Sequence, residues 1–409
     1  MTQGAAPPRP RDPRLDFFRG VAMFIIVVAH IPNNPWTLWI PARFGFSDAT
    51  EIFVFCSGMA SALAFGSIFA AGRFGRGTLR IVLRVWQVYW AHIGTFLVVA
   101  ALCVALNRWG PSGVDYVRQL NLHGFFADPA PGLLALITLR YVPNFFDILP
   151  MYLVILAMIP AVMALARVSR ALVAAVLAGL WLAANLGLEL PAEPWSNRPW
   201  FFNPFGWQLL FFTGFAFMAG WLPAPPVHRA LVLAALSVLA LAVPFSWFRI
   251  LQAAPRFSEA AAAIGFLTDK TAFGLLRYAH FLALAYLAWV AAGPAGARLS
   301  SGAWRSRAAF LVRKVGQQSL AVFVSGLVLS QLLGAALDVL GRGPLAALGV
   351  NLAGFAAVAA IAFAVAAIKG ASRAGERAIG EGRALHVLEG AERRPASGSD
   401  RPGPERRRA

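Results

Sequence analysis

The sequence predicts an all-α fold, a polytopic membrane bundle of about ten transmembrane helices with both termini cytoplasmic. Three observations carry this expectation. Of 409 residues, 59% are hydrophobic and only 13% charged, too much apolar sequence for a soluble core to hide behind so few charges. Apolar runs of about 20 residues, the length that crosses a hydrocarbon core, recur along the chain. The Lys and Arg gather in short loops between those runs and in the C-terminal tail, the pattern of topology signals. That distribution argues against nucleic acid as a partner, despite a net charge of +18.

Taken in order, residues 1–17 are rich in Pro and Arg and read as a cytoplasmic segment. They show no cleavable-signal pattern, so the first helix, about Phe18–Trp36, is expected to be retained. The second span covers about Ala49–Ala71 and is followed by the basic loop Arg73, Arg76, Arg80 and Arg84. The third, about Val85–Leu106, leads into a long loop punctuated by Pro, Gly and Asp up to Pro143. Spans four and five, about Phe146–Ala166 and Ala171–Leu188, flank a short turn with Arg167 and Arg170.

The loop Glu189–Pro204 is rich in Pro, Trp and Asn and suits a membrane interface. Spans six and seven fall at about Phe205–Leu222 and Ala230–Phe248. Span eight, about Thr271–Ala292, precedes a basic loop with Arg298, Arg305, Arg307, Arg313 and Lys314. Spans nine and ten are expected at about Val315–Leu340 and Pro344–Ile368. Residues 18–368 thus form one transmembrane domain, and 369–409 read as a disordered basic cytoplasmic tail. The denser arginines of the short inner loops set the orientation. Cys56 and Cys103 fall inside spans and read as reduced core residues, with no metal-ligand spacing.

Ionisable groups at membrane depth are the candidates for chemistry. Arg14, Asp16 and Arg19 suit an anchor at the inner interface, snorkelling to headgroups. His30 lies eleven positions past Arg19, about 16 Å along a helix, and beyond the midplane. A lone buried His is ordinarily a hydrogen-bonded structural residue, but Asp48 and Glu51 return at similar depth. A carboxylate beside a neutral imidazole fixes its tautomer and raises its basicity, which suits a general base. His92 reads as a residue that bonds a neighbouring helix or lines a cavity. Arg277 and His280 lie three apart on one helix face, and a buried Arg needs a partner or a wet cavity. Gln208, Gln317 and Gln318 are explained by interhelical hydrogen bonds.

Arg19 and His30, with ten residues between them, resemble the R-x10-H signature of transmembrane acyltransferase-3 proteins. The opening Arg14-x-Asp16-x-x-Arg19-Gly20 is also similar to heparan-glucosaminide acetyltransferases. More of the chain resembles the OpgC family, the succinyltransferases of osmoregulated periplasmic glucans. The residues that carry this are Gly45–Gly58, Phe146-Asp147-Ile-Leu-Pro150-Met-Tyr152, Asn203–Gln208, Asp269-Lys270-Thr271, Arg277–Phe281 and Gly316–Leu320. The resemblance covers about Arg14–Ile368.

It implies a multi-pass protein of the bacterial inner membrane, surrounded by lipid, with no permanently bound cofactor. Acyl-CoA, taken as succinyl-CoA, would be the cytoplasmic donor, and a periplasmic glucan or related glycan the acceptor. His30 would deprotonate the acceptor hydroxyl or pass through an acyl-histidine, with Asp48 or Glu51 orienting the ring. Arg19, Arg80, Arg84, Arg313 and Lys314 would serve the anionic donor. Asp147, Asp269, Lys270, Arg277 and His280 would face the acceptor. A homodimer is compatible with the sequence.

Two other classes compete with that expectation. Buried Arg, His and Asp also build the proton relays of secondary transporters, although the halves of this chain show no convincing self-similarity. A structural or sensory membrane protein without chemistry is the third.

Overall fold

The computed structural model describes residues 12–299 and 303–392. Residues 1–11 and 393–409, most of the N-terminal segment and the end of the tail, lie outside the described residues. The described residues are mostly helical, and their one β feature is an isolated bridge between Pro191 and Pro199. Six helices are long and apolar enough to cross a membrane, and two shorter apolar helices accompany them.

Helix α1, Pro13–His30, starts where the Asp12 carboxylate accepts the Arg14 N–H at 2.9 Å and Pro13 presets the first turn. It stops six residues before the sequence boundary at Trp36. Pro32 pushes Ile31 into an extended conformation, and Pro35 and Pro41 then open two short 3-10 turns. Helix α2 runs over Ala49–Ser61 and continues through a π-turn to Ala70. Helix α3, Phe74–Trp109, has 36 residues. At 1.5 Å per residue that is about 54 Å, so its arginine-bearing first turns reach beyond a hydrocarbon core about 30 Å thick.

The segment between α3 and residue 148, expected as a loop, instead contains three short helices, Tyr116–Gln119, His123–Ala127 and Pro129–Ile137. Tyr116, Leu120, Leu122, Phe125 and Tyr141 bury there against Phe96 of α3 and form a satellite core. Helices α4, Ile148–Val168, and α5, Arg170–Asn185, meet at Ser169, whose Oγ accepts the Leu172 N–H. Helix α6, Pro204–Met218, is capped by Asn203. Helix α7, Arg229–Ala242, is followed by short helices up to Thr268 and then by α8, Leu275–Ala292.

The basic stretch expected as a loop before span nine is helical. Helix α9, Ala303–Gln317, ends one residue before α10, Ser319–Leu340. Its Ala, Leu and Arg residues are strong helix formers, which charge alone does not reveal. Helix α11, Pro344–Glu392, runs on through 369–392, where a disordered tail was expected. Two compact units divide the chain, Met1–Ala362 and Phe363–Ala409. All residues discussed below belong to the first.

Two glycine-paired crossings hold this unit together. Where α1 meets α9, a Cβ on Gly20 would stand 2.0 Å from the Val312 carbonyl oxygen, and one on Gly316 1.9 Å from that of Asp16. Where α2 meets α6, a Cβ on Gly58 would stand 1.9 Å from the Phe211 oxygen, and one on Gly214 2.3 Å from that of Phe55. Such backbone-to-backbone approach admits no side chain, the packing small residues allow between membrane helices. Farther out, Asn34 and Asn351 exchange amide hydrogen bonds of 2.8 and 3.0 Å and fasten the end of α1 to α11.

Gly58→Ala should therefore lower the thermal unfolding midpoint in detergent, by the equivalent of about 1–3 kcal/mol for overpacking. Gly179→Ala, with nothing within 4 Å of the added carbon, should leave it unchanged or raise it. Equal midpoints for Gly58→Ala and wild type would show that the α2–α6 crossing is looser than described.

Candidate functional site

The site begins at the N-terminus of α2, where four backbone N–H groups have no partner inside the helix. Asp48 accepts from the Thr50 N–H at 2.6 Å, and Glu51 reaches back to accept the Asp48 N–H at 2.8 Å. This reciprocal capping box fixes both carboxylates by their backbone duties and leaves each with a second oxygen. The second oxygen of Asp48 takes the Lys270 ammonium, and that of Glu51 takes the Arg277 guanidinium at 2.8 Å. Glu51 is fully buried. Its partner comes from α8, Lys270 from the loop before it.

The loop that presents Lys270 is itself held at several points. Trp207 Nε1 donates to the Lys270 carbonyl at 2.8 Å, and Trp181 Nε1 donates to that of Phe273, also at 2.8 Å. Asn185 Nδ2 reaches the Ala272 oxygen at 3.2 Å, and the Asn203 N–H donates to Thr271 at 3.1 Å. Gly206 lets the Ala272 carbonyl approach where a Cβ would stand 2.2 Å from it. Asp269 accepts the Ala272 N–H at 2.5 Å, so it shapes the turn. The Lys270 ammonium lies 5.7 and 5.6 Å from the Phe201 and Phe202 ring centres.

Arg277 and His280 do share a face, and both address the start of α2. His280 Nδ1 bonds the Ser47 hydroxyl at 2.7 Å. Its ring packs over Gly45, where a Cβ would stand 2.2 Å from Nε2. Ser47 and the pinning residues Trp181, Asn185 and Trp207 were missed from sequence. Tryptophan and asparagine beside a loop signal only a bonded or interfacial position, never which carbonyl they will hold.

His30 closes α1. Its Nδ1 bonds the Ile26 carbonyl oxygen at 2.7 Å, and its ring lies 5.1 Å from Phe145 and 6.2 Å from Phe323. A small apolar cavity beside it is lined by Met23, Ile26, Val27, Phe323 and Leu327, among others. The orienting bond expected from Asp48 or Glu51 is therefore corrected. The ring takes its orientation from its own helix, because both carboxylates are occupied by a cap and a cation. Asp48 and Lys270 still act on the ring electrostatically, with opposite sign.

The remaining expected residues fall in two places. Asp147 is buried immediately before α4, and its Oδ1 has no hydrogen-bond partner among the described residues. At the other end of α1, Arg19 donates to the Ser319 hydroxyl, and Gln317 donates to Asp16 at 3.3 Å. Arg80 is exposed on α3, and Arg84 bonds Gln87 on the same helix at 2.6 Å. Lys314 lies 5.7 Å from the centre of Phe310, and Arg313 Nε is buried without a hydrogen-bond partner among the described residues. Cys56 and Cys103 are free and buried.

Apolar helices around a buried set of ion pairs and imidazoles define a helical membrane protein with an internal polar site. The family model described as OpgC protein matches residues 11–370, and the chain belongs to that family. Membership points to a transferase with a glucan succinyltransferase-like role. No curated protein and no solved structure matches the chain.

The Glu51–Arg277 pair is open to a direct test. Breaking a buried pair costs about 3–5 kcal/mol, whereas replacing both members costs far less. Glu51→Gln and Arg277→Met should each lower the unfolding midpoint sharply, and the double variant should recover much of the loss. Losses that simply add would mean the two groups do not act as a pair.

Proposed function

We propose that the protein is an inner-membrane O-acyltransferase that moves an acyl group, taken as succinyl, from cytoplasmic acyl-CoA to a hydroxyl of a periplasmic glucan. The observation that carries this reading is the bond between His30 Nδ1 and the Ile26 carbonyl. A carbonyl only accepts, so Nδ1 holds the proton and the ring's lone pair is on Nε2. A neutral imidazole in that tautomer is the general base a hydroxyl needs. The R-x10-H spacing supports a place near the acyltransferase-3 proteins.

In the proposed step, Nε2 takes the hydroxyl proton as the glucan oxygen attacks the thioester carbonyl. The C–O bond forms, the C–S bond breaks, and the coenzyme A thiolate leaves with the proton returned by the imidazolium. An acyl-histidine route would use the same nitrogen as nucleophile. Asp48 and Glu51, with Lys270 and Arg277, set the field and wall of the acceptor side, together with Asp147, Asp269 and His280. Arg19, Arg80, Arg84, Arg313 and Lys314 meet the phosphates of the donor, where charge-assisted bonds are strongest.

The proposed topology has ten spans, α1–α8 with α10 and α11, both termini cytoplasmic, and α9 at the inner face. It is supported by the clasp itself, whose contributing loops all fall on one side under this topology. Ser112 is exposed and the two native cysteines are buried. Ser112→Cys should accordingly react with an impermeant thiol reagent added from the periplasmic side. Labelling only from the cytoplasm would overturn this topology.

Purified wild-type and variant protein, given labelled acyl-CoA with and without glucan, tests the chemistry. His30→Ala should lose roughly 10²–10⁴-fold of the transfer rate while still binding acyl-CoA. His30→Asn should be nearly as slow, since an amide holds a hydrogen bond but takes no proton at neutral pH. Near-wild-type transfer by a donor-bound His30→Ala preparation would sink the mechanism.

A further inference from the structure

Of the two expectations for His92, a bond to a neighbouring helix or a place lining a cavity, the first is not met among the described residues. His92 is fully buried in α3, against the ring of Phe146, and neither ring nitrogen has a hydrogen-bond partner among the described residues. A second orphan lies on α10, where Gln331 is 1% exposed and its Oε1 is unbonded. Gln331 follows Phe323 and Leu327 at four-residue intervals, so it shares the helix face that lines the cavity beside His30. Buried polar atoms are nearly always paired, and an unpaired one calls for an explanation. Two of them, on helices that pack against each other, point to a ligand that bonds there.

Position decides which ligand. His92 lies eight residues beyond Arg84 on α3, about 12 Å along the helix from the proposed donor cations. Under the proposed topology α1 and α3 run in the same direction, so His92 stands between those cations and the level of His30. The acceptor arrives from the opposite side, so only the donor's arm passes this point. That arm must carry two amides through an apolar bundle, each with one N–H and one carbonyl. A neutral imidazole offers one donor and one acceptor, and Gln331 Oε1 offers an acceptor. On the adjoining faces of the same two helices, Ala91 and Gly94 of α3 and Ser325 of α10 help line a groove of about 450 Å³, which neither His92 nor Gln331 itself lines.

We propose that His92 and Gln331 are the hydrogen-bonding stations for the amides of the donor's pantetheine arm, between α3 and α10. The proposal rests on the acyltransferase reading, and names the part of the donor these residues hold.

The test uses full-length protein carrying His92→Phe or Gln331→Met, apolar replacements of similar size. Each removes an unpaired buried group, so the unfolding midpoint should stay level or rise. Each should raise the apparent constant for acyl-CoA about five- to tenfold, the worth of one ordinary hydrogen bond, and leave that for glucan alone. An unchanged donor constant with a raised midpoint would overturn the proposal, since only water would then have occupied the site. A change in the glucan constant instead would overturn it too. Should His92→Phe fail to fold, Gln331→Met alone decides by the same two constants. If wild type neither binds acyl-CoA nor transfers from it, the acyltransferase reading fails first and takes the proposal with it.

Discussion

The four carboxylate oxygens of Asp48 and Glu51 are the constraint on which the surroundings of the α2 N-terminus depend. Two of them answer to the backbone at the start of α2, and two answer to cations from a segment more than two hundred residues away in sequence. The division leaves neither carboxylate free to rotate without abandoning a buried donor. It also makes the clasp neutral, with two anions matched by two cations in a region where an unmatched charge is expensive. The pinned loop carrying Lys270 and the face of α8 carrying Arg277 are consequently fixed relative to α2. The aromatic and amide donors that hold 270–273 secure the other side of the same joint.

A second constraint acts through backbone contact, not charge. Gly20 and Gly316 bring α1 and α9 together at the arginine-bearing end, while Gly58 and Gly214 do the same for α2 and α6. The first crossing fixes the height of α1, and the Asn34–Asn351 exchange fixes its far end. His30 lies between these two anchors. Its place in depth is therefore set by packing that involves neither its ring nor the clasp. This separation explains how the proposed base can occupy the last turn of a helix without depending on its fraying end.

Much of the helical plan was legible because apolar runs of spanning length leave few alternatives. What failed was anything decided by local competition. Pro32 and Pro35 end α1 six residues before the boundary expected at Trp36, and the arginines of α9 disguised a helix as a loop. The residues before α4 were read as loop because their Pro, Gly and Asp punctuate the chain, yet aromatic burial against Phe96 organises them into helices. At the candidate site, the sequence singled out Asp48, Glu51, Lys270, Arg277 and His280, and the structure brings them together in a pairing the sequence did not show. The Asp-x-x-Glu spacing ahead of an apolar run is a capping signature, and the backbone at a helix start claims such carboxylates before a distant imidazole does. His92 shows the opposite case, since no spacing in a single chain reveals that a buried ring will have no hydrogen-bond partner among the described residues.

The proposed chemistry also gives a physical reason for keeping the clasp and the base apart. A carboxylate bonded to His30 would stabilise the imidazolium, but it would carry a net negative charge into an apolar cavity whenever the ring is neutral. Burying that charge without a cation is costly enough that a third group would have to accompany it. Binding Nδ1–H to the Ile26 carbonyl orients the ring with a neutral partner already present in the helix. Neither that bond nor the clasp then brings an unmatched charge to the ring. Under the proposed step, charge develops only as the hydroxyl proton moves to Nε2 and the thiolate departs, and the two charges formed are opposite and adjacent. Asp48 and Lys270, paired with each other outside this exchange, act on the ring with opposing signs. A membrane interior admits such a reaction because the charges are created in pairs and removed in pairs.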